Sequence, residues 1–448
     1  MLARLILAFA FLTSATLPSF GADDVGAQRR EDISVFRDRF WNVNPSLTES
    51  VRESGDATLA DLAARAEEIS LAEFEMTIAQ LVALADNGHT SAFPSRRAFR
   101  YNTTPIRLVP FGEAFYVAHA QAAQADLLGA RLVSIDGRGF GALQSAARSL
   151  MGGLPAWRDR QAPYLFQSPQ QLHALGLADR PDRAEYVFED GRGRTIRRIL
   201  HALPPPPEYL FAMRWVFNER WIYPSPPPGE GEGWKSLLDE RNAPWSLQER
   251  ERVFRWRQDA ALDALIIDMR LNIDSETESL DAFFAEVIEV QRVSSRANVV
   301  VDMRLNGGGD LNTTRAFMQK IPALFPGRLF VITSPWTFSA GIASVAYLEQ
   351  AAPDRVTIVG EAVGDRLDFR GDGDIITLPH SGIMLLNARA RHDYWNGCVA
   401  APDCQPTVAA NPIAVESLAP DIVAPWTIDA YVRGVDPAIA AIAAAIRR

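Results

Sequence analysis

The sequence predicts an α/β core preceded by a helical segment and a smaller β-rich unit, α+β in overall class. Three observations predict it. From Ala261 onward, apolar strand patterns (265–268, 299–301, 329–333) alternate with helical ones, including 280–290. That is the order of a sheet with crossover helices. Two successive strands end in unusual turns, Asn306-Gly307-Gly308-Gly309 and Thr337-Phe338-Ser339-Ala340-Gly341. Between residues 106 and 203 the apolar runs shorten to strand length and are bounded by Gly and Asp.

Composition narrows the class of function. A chain of 448 residues with 48% hydrophobic and 22% charged residues has the make-up of a globular protein. Its length implies roughly two to four domains. A net charge of -10 argues against nucleic-acid binding. The basic residues are almost all arginine; Lys235 and Lys320 are the only lysines. Residues 1–21 read as a secretory signal peptide, with Arg4, an apolar run over 5–12 and small residues at Ser19 and Gly21. A membrane anchor needs roughly 20 apolar residues, more than this run supplies. No later stretch is long enough to span, so a periplasmic or secreted location is expected. Cys398 and Cys404 share a loop with Gly397, Pro402 and Pro406. In an oxidising compartment they are expected to form a local disulfide. So short a loop contributes on the order of 2 kcal/mol or less.

The N-terminal region, 22–98, reads as helical. Leu59, Leu62, Ala63 and Ala66 share one face of a helix over 57–66. Ser70 and Glu73 form a capping-box pattern for the next helix, whose stripe is Leu71, Phe74, Ile78, Leu81 and Val82. Asp86-Asn87-Gly88 stops it and leaves His89 on a loop. The β-rich domain spans 99–203, with strands near 115–118 and 130–135, a helix over 143–150, and a hairpin turning at Asp190-Gly191. Its order of strands, turn and helix resembles a degenerate PDZ module, without a recognisable carboxylate-binding loop. Pro204 to Pro207 form a stiff connector, which starts the core at 208. Residues 224–233 read as an exposed Pro/Gly loop within it. The core runs to 435, and a helix over 436–448 follows, capped by Asp436 with Pro437 in its first turn.

Ser339 is the candidate nucleophile. Such a serine needs an exposed hydroxyl at a sharp turn, with backbone donors aimed at the developing oxyanion. At a helix start the Ala340 N–H is free of intrahelical bonds. Gly308, with Gly307 as a second candidate, lets backbone approach closely. The competing reading is a serine that merely caps its helix beside glycines that merely turn the chain. Their position on successive strand ends favours a shared cleft. The pattern calls for no metal and no cofactor.

A family resemblance rests on these residues. Val300 to Gly309 resembles the strand end "V-D-L-R-x-N-x-G-G" of the C-terminal processing (tail-specific) proteases. Thr337-Phe338-Ser339-Ala340 is similar to that family's nucleophile turn. Val359-Gly360-Glu361 with Gly364, Leu378 to Gly382, and Pro420-Asp421-Ile422 resemble its later elements, and Asp86 to Thr90 its N-terminal "D-x-H-T" element. The resemblance implies a crotonase-like core, a serine peptidase activity and a polypeptide substrate.

One departure matters. Where many members carry a lysine base, Gly364 stands, beside Asp365 and Arg366. Arginine stays protonated and cannot replace it. The branch resembling the tricorn core protease and retinoid-binding-protein repeats uses a histidine instead, and His89 occupies that element. Histidine suits general-base work near neutral pH. The third member of the set is assigned to Glu361, with Glu416 as the alternative; both also read as solvated carboxylates. His392-Asp393 is a further acid–base candidate, more simply read as lining the cleft edge or capping a turn. His119, His173, His201 and His380 read as structural. The expectation is an exported serine peptidase with Ser339, His89 and Glu361 catalytic and Gly308 and Ala340 forming the oxyanion hole. The alternatives are an inactive binding protein of the same fold, for peptide ends or apolar ligands, and a small-molecule esterase or amidase.

Overall fold

The computed structural model describes residues 22–207, 221–225, 230, 233–275, 278–398 and 401–448. The expected signal peptide, the start of the core at 208 and part of the 224–233 loop lie outside the described residues. Helices Ala22–Phe36, Glu49–Ala64 and Leu71–Ala83 make up the N-terminal region. The second begins earlier than its apolar face predicts, because Thr48 caps it by accepting the Val51 N–H. Ser70 caps the third by accepting the Glu73 N–H, while the Glu73 carboxylate turns to Arg65. Phe74, Ile78, Leu81 and Val82 are buried as expected; Leu71 is exposed instead.

Next come β1 (Ile106–Phe111), β2 (Ala114–Gln121), β3 (Arg131–Ile135), β4 (Arg138–Gly139), β5 (Arg183–Glu189) and β6 (Thr195–His201). They form an antiparallel sheet in the order β1-β2-β3-β5-β6, with β4 on β3. A seventh strand, β7 (Trp234–Ser236), comes from beyond the proline connector and pairs with β2. Buried His119 of β2 helps hold it there. Its Nδ1 lies 2.8 Å from Ser236 Oγ and its Nε2 lies 2.8 Å from the Trp221 carbonyl. Burial pushes its pKa down to about 4.

That shift has a stability consequence. The unfolded chain binds a proton at His119 near pH 6.5, the folded chain only near pH 4. Stability therefore falls as pH drops through that window, by about 3 kcal/mol in total. Urea unfolding of the wild type at stepped pH should show this loss, and His119→Gln should flatten it. An equal slope in both proteins would refute the assignment.

The core sheet contains β8 (Phe254–Asp259), β9 (Ala264–Met269), β10 (Asn298–Asp302), β11 (Leu329–Thr333) and β12 (Val356–Gly360). A long hairpin follows, β13 (Asp368–Thr377) and β14 (Met384–Asp393), and then β15 (Ile422–Val423) closes the sheet. The order is β15-β12-β11-β10-β9-β8, parallel except for β8. Strands β9, β10 and β11 are buried along their whole length, as a sheet covered on both faces requires. Val299 and Val301 pack with Phe283, Phe317 and Ala343 from three helices, Leu280–Ser294, Leu311–Leu324 and Ala340–Ala351. Val300, pointing the other way, packs with Ala438 and Ile442 of the helix Pro437–Ile446.

The β13–β14 hairpin joins the two halves of the molecule. Its far end, Ile376, Leu378, Ile383 and Leu385, is buried in the N-terminal core. Asp32 accepts the N–H groups of His380 and Ser381 at its turn. The loop after His89 pairs with it as well, through Ser91 and Leu386. The disulfide Cys398–Cys404 forms, with Cα atoms 5.9 Å apart, and its loop lies along β14.

Candidate active site

The turn that carries Ser339 is tied to itself and to the segment after β10 by hydrogen bonds. The Thr337 hydroxyl accepts the Ser334 N–H and donates to the Met303 carbonyl, and the Phe338 N–H donates to the Asn306 carbonyl. The chain then has one residue in which to reverse from strand to helix. Ser339 takes φ 54° and ψ -129°. A side chain in that region costs on the order of 1–3 kcal/mol, and such strain clusters at functional sites. The Ser339 hydroxyl does not cap the helix it precedes. The simple capping reading is thereby removed. Among the described residues, the Ala340 N–H has no partner.

The glycine loop opposite is held from beneath. Asp302 and Arg304 pair within the core, and Arg304 also reaches Asp436 at 2.8 Å. Burial would lower the Arg304 pKa, but the two carboxylates outweigh it and hold it above the ordinary arginine value. Burial raises that of Asp302. Asn306, fully buried, donates to Asn272 Oδ1 and to the Met269 carbonyl. Asn272 in turn donates to the Ala340 carbonyl. Gly308 has φ 97°, and a Cβ there would sit 2.6 Å from Ser339 Cβ and 2.9 Å from the Ala340 nitrogen. Only glycine fits. The structure corrects one expectation here: the Gly308 N–H donates to Asn306 Oδ1 at 2.9 Å, and the Gly307 N–H to the Arg270 carbonyl. In this conformation neither glycine offers a free donor. Ala340 does.

His89 is fixed by stacking and by one carboxylate. Trp157, Phe338, His89, Phe369 and His392 lie ring on ring, with centroid spacings of 3.9, 4.3, 4.9 and 4.8 Å. His89 sits in the middle of the pile, and Phe338 is the neighbour of Ser339 in the chain. The His89 Nδ1 lies 3.2 Å from Asp365 Oδ2, and the Asp365 side chain is fully buried. Nε2 is buried and, among the described residues, has no hydrogen-bond partner. No hydrogen bond joins it to Ser339 Oγ in this conformation. Gly88 permits the approach, because a Cβ there would lie 2.8 Å from Asp365 Oδ2.

Asp365 is the residue that sequence reasoning missed. Glu361, expected as the third member, instead sits 3.4 Å from buried Arg160, away from the His89 ring nitrogens. In sequence, the stretch at 364–366 is notable only for the lysine it lacks. The structure adds a reason why Gly364 carries none: a Cβ would fall 2.4 Å from the Pro335 carbonyl oxygen. The aromatic pile had no sequence signal, since its rings come from segments far apart in the chain. His392 closes the pile; its Nε2 lies 3.4 Å from Asp372 and its Nδ1 3.1 Å from the Tyr394 hydroxyl. Burial lowers its pKa. Asp393 accepts the N–H groups of Trp395 and Asn396, as a turn cap. Glu416 is exposed on the surface.

No family model matches the chain, and no curated protein matches it. Solved structures do. Mature CPAF complexed with lactacystin aligns with a TM-score of 0.57 at 11% identity, over 94% of this chain and 98% of that one. Uncomplexed mature CPAF aligns at 0.54 and 12%, with the same coverage. The photosystem II D1 C-terminal processing protease reaches only 0.36, too low to bear on the fold. At these identities the chain shares a fold with mature CPAF across nearly its full length.

Proposed function

We propose that the chain is an exported serine peptidase of the tail-specific type, acting through a Ser339 acyl-enzyme. The observation that carries the reading is the pairing of a strained serine at a helix start with a buried histidine–carboxylate pair one ring away. Asp365 accepts the His89 Nδ1–H and fixes the tautomer, which leaves Nε2 as the base. Nε2 takes the Ser339 proton as Oγ attacks a peptide carbonyl. The Ala340 N–H stabilises the oxyanion, worth about 3 kcal/mol for one good donor. The same Nε2–H then protonates the leaving amine, and water releases the acyl group. Oγ and Nε2 must close to hydrogen-bond distance when substrate binds, a tightening common from apo geometry. The resemblance of the Arg304–Gly309 and Phe338–Gly341 segments to tail-specific proteases, and the fold shared with mature CPAF, support the same reading. The short leader and the disulfide support export to the periplasm or beyond.

A second reading is a binding protein without turnover. The absent Ser339–His89 hydrogen bond and the engaged Gly308 N–H favour it. A fluorophosphonate probe separates the two. The wild type should gain a covalent adduct on the peptide containing Ser339, and Gly308→Ala should gain none, because its Cβ crowds Ser339 and the Ala340 nitrogen. A wild type that stays unlabelled from acid to alkaline pH would leave the binding reading standing.

A further inference from the structure

The base and its carboxylate partner come from loops 276 residues apart in the chain. A single hydrogen bond does not set the distance and the rotation between two loops. Asp86, three residues before His89, supplies a second attachment. Arg366, the residue after Asp365, donates through Nη1 to the Asp86 carbonyl and through Nη2 to Asp86 Oδ2, both at 2.8 Å. Neighbouring side chains of one loop thus grip neighbouring positions of the other. The opposite Asp86 oxygen, Oδ1, accepts from Arg158 and from the Gly153 N–H. Arg158 belongs to the helix Pro155–Gln161, which also carries Trp157, the ring stacked on Phe338. The backbone of Gly152 and Gly153 lies directly on that of Asn87 and Gly88; a Cβ on either glycine would fall under 3 Å from it.

We infer that Asp86 is a positioning residue: its carboxylate sets the His89 loop in register with Asp365 and with the Trp157 helix that covers the nucleophile turn. The inference rests on the proposed serine chemistry. Asp86 has φ 45°, a conformation that aspartate and asparagine tolerate better than most residues. Its side chain is 53% exposed. Exposed ion pairs contribute little to stability. What this one supplies is geometry, and small misplacements of a base are expensive in rate.

Asp86→Asn keeps the backbone conformation and removes the charge. With a fluorophosphonate probe, its maximal labelling rate should fall about ten-fold, while the half-saturating probe concentration stays within about two-fold. A second readout needs no activity. In protein labelled with 15N-histidine, the His89 Nδ1–H resonance, assigned by its loss in His89→Gln, should exchange faster with solvent in Asp86→Asn. If Asp86→Asn does not fold, Arg366→Gln is read by the same two measurements. Unchanged exchange together with an unchanged rate overturns the inference. A wild type that is not labelled, but whose Nδ1–H exchange still responds to Asp86→Asn, would retain the positioning role and overturn the peptidase reading.

Discussion

Ser339→Ala should abolish fluorophosphonate labelling and peptide hydrolysis and leave the thermal transition where it is. The expected loss in rate is about 10⁴-fold or more, as for removal of a nucleophile that works as a unit with its base. The transition should not move because the Ser339 hydroxyl does not cap its helix and, among the described residues, enters no other hydrogen bond. Alanine at φ 54° carries the same backbone strain as serine. Ser339→Gly makes that strain measurable. Glycine adopts the turn freely, so this variant should be equally inactive and more stable, by about 1 kcal/mol or somewhat more. A gain in stability on removal of the nucleophile is the mark of strain kept for function. Labelling that survives in Ser339→Ala would move the nucleophile elsewhere.

The parts of this site that were legible in sequence are those set by local rules. A buried parallel strand announces itself by an unbroken apolar run, and β10 and β11 do so through Val299–Val301 and Leu329–Ile332. A glycine with φ 97° and a serine at a strand-to-helix reversal leave traces in the residue types that can occupy them. The identity of the acid left none. Glu361 and Asp365 both follow β12 within one turn of chain, and only packing decides which one faces His89. Packing chose Asp365, because Gly88 lacks a side chain at the crossing and because Arg160 draws Glu361 aside. The direction of the backbone N–H groups around Ser339 was not legible, for a similar reason. A glycine at 308 is needed for close approach, but where the N–H groups of 307 and 308 point depends on Asn306 and Arg270, which sequence does not orient.

Asp365→Asn should be nearly as damaging as loss of the nucleophile, and Glu361→Gln nearly silent. The asymmetry follows from the hydrogen bonds of Asp365. Its Oδ1 accepts the Arg366 N–H at 2.9 Å, and its Oδ2 faces His89 Nδ1. An asparagine must keep its carbonyl oxygen toward the Arg366 N–H, which needs an acceptor. Its NH₂ group then faces His89 Nδ1 and donates to it. The ring is driven into the tautomer with the proton on Nε2, and Nε2 can no longer take the proton of Ser339. A wrong tautomer of this kind costs about 10⁴-fold in rate with geometry otherwise kept. Among the described residues, the Glu361 carboxylate pairs with the Arg160 guanidinium, at 3.4 Å. Its amide replacement leaves the His89–Asp365 pair untouched, so the fluorophosphonate labelling rate should stay within about three-fold of wild type, while loss of the charged partner of buried Arg160 lowers stability. Both variants are measured by the same labelling rate at neutral pH. The reverse outcome, a silent Asp365→Asn and a dead Glu361→Gln, would require His89 to swing out of its aromatic pile in the working enzyme, and the resting geometry would then describe a latent state.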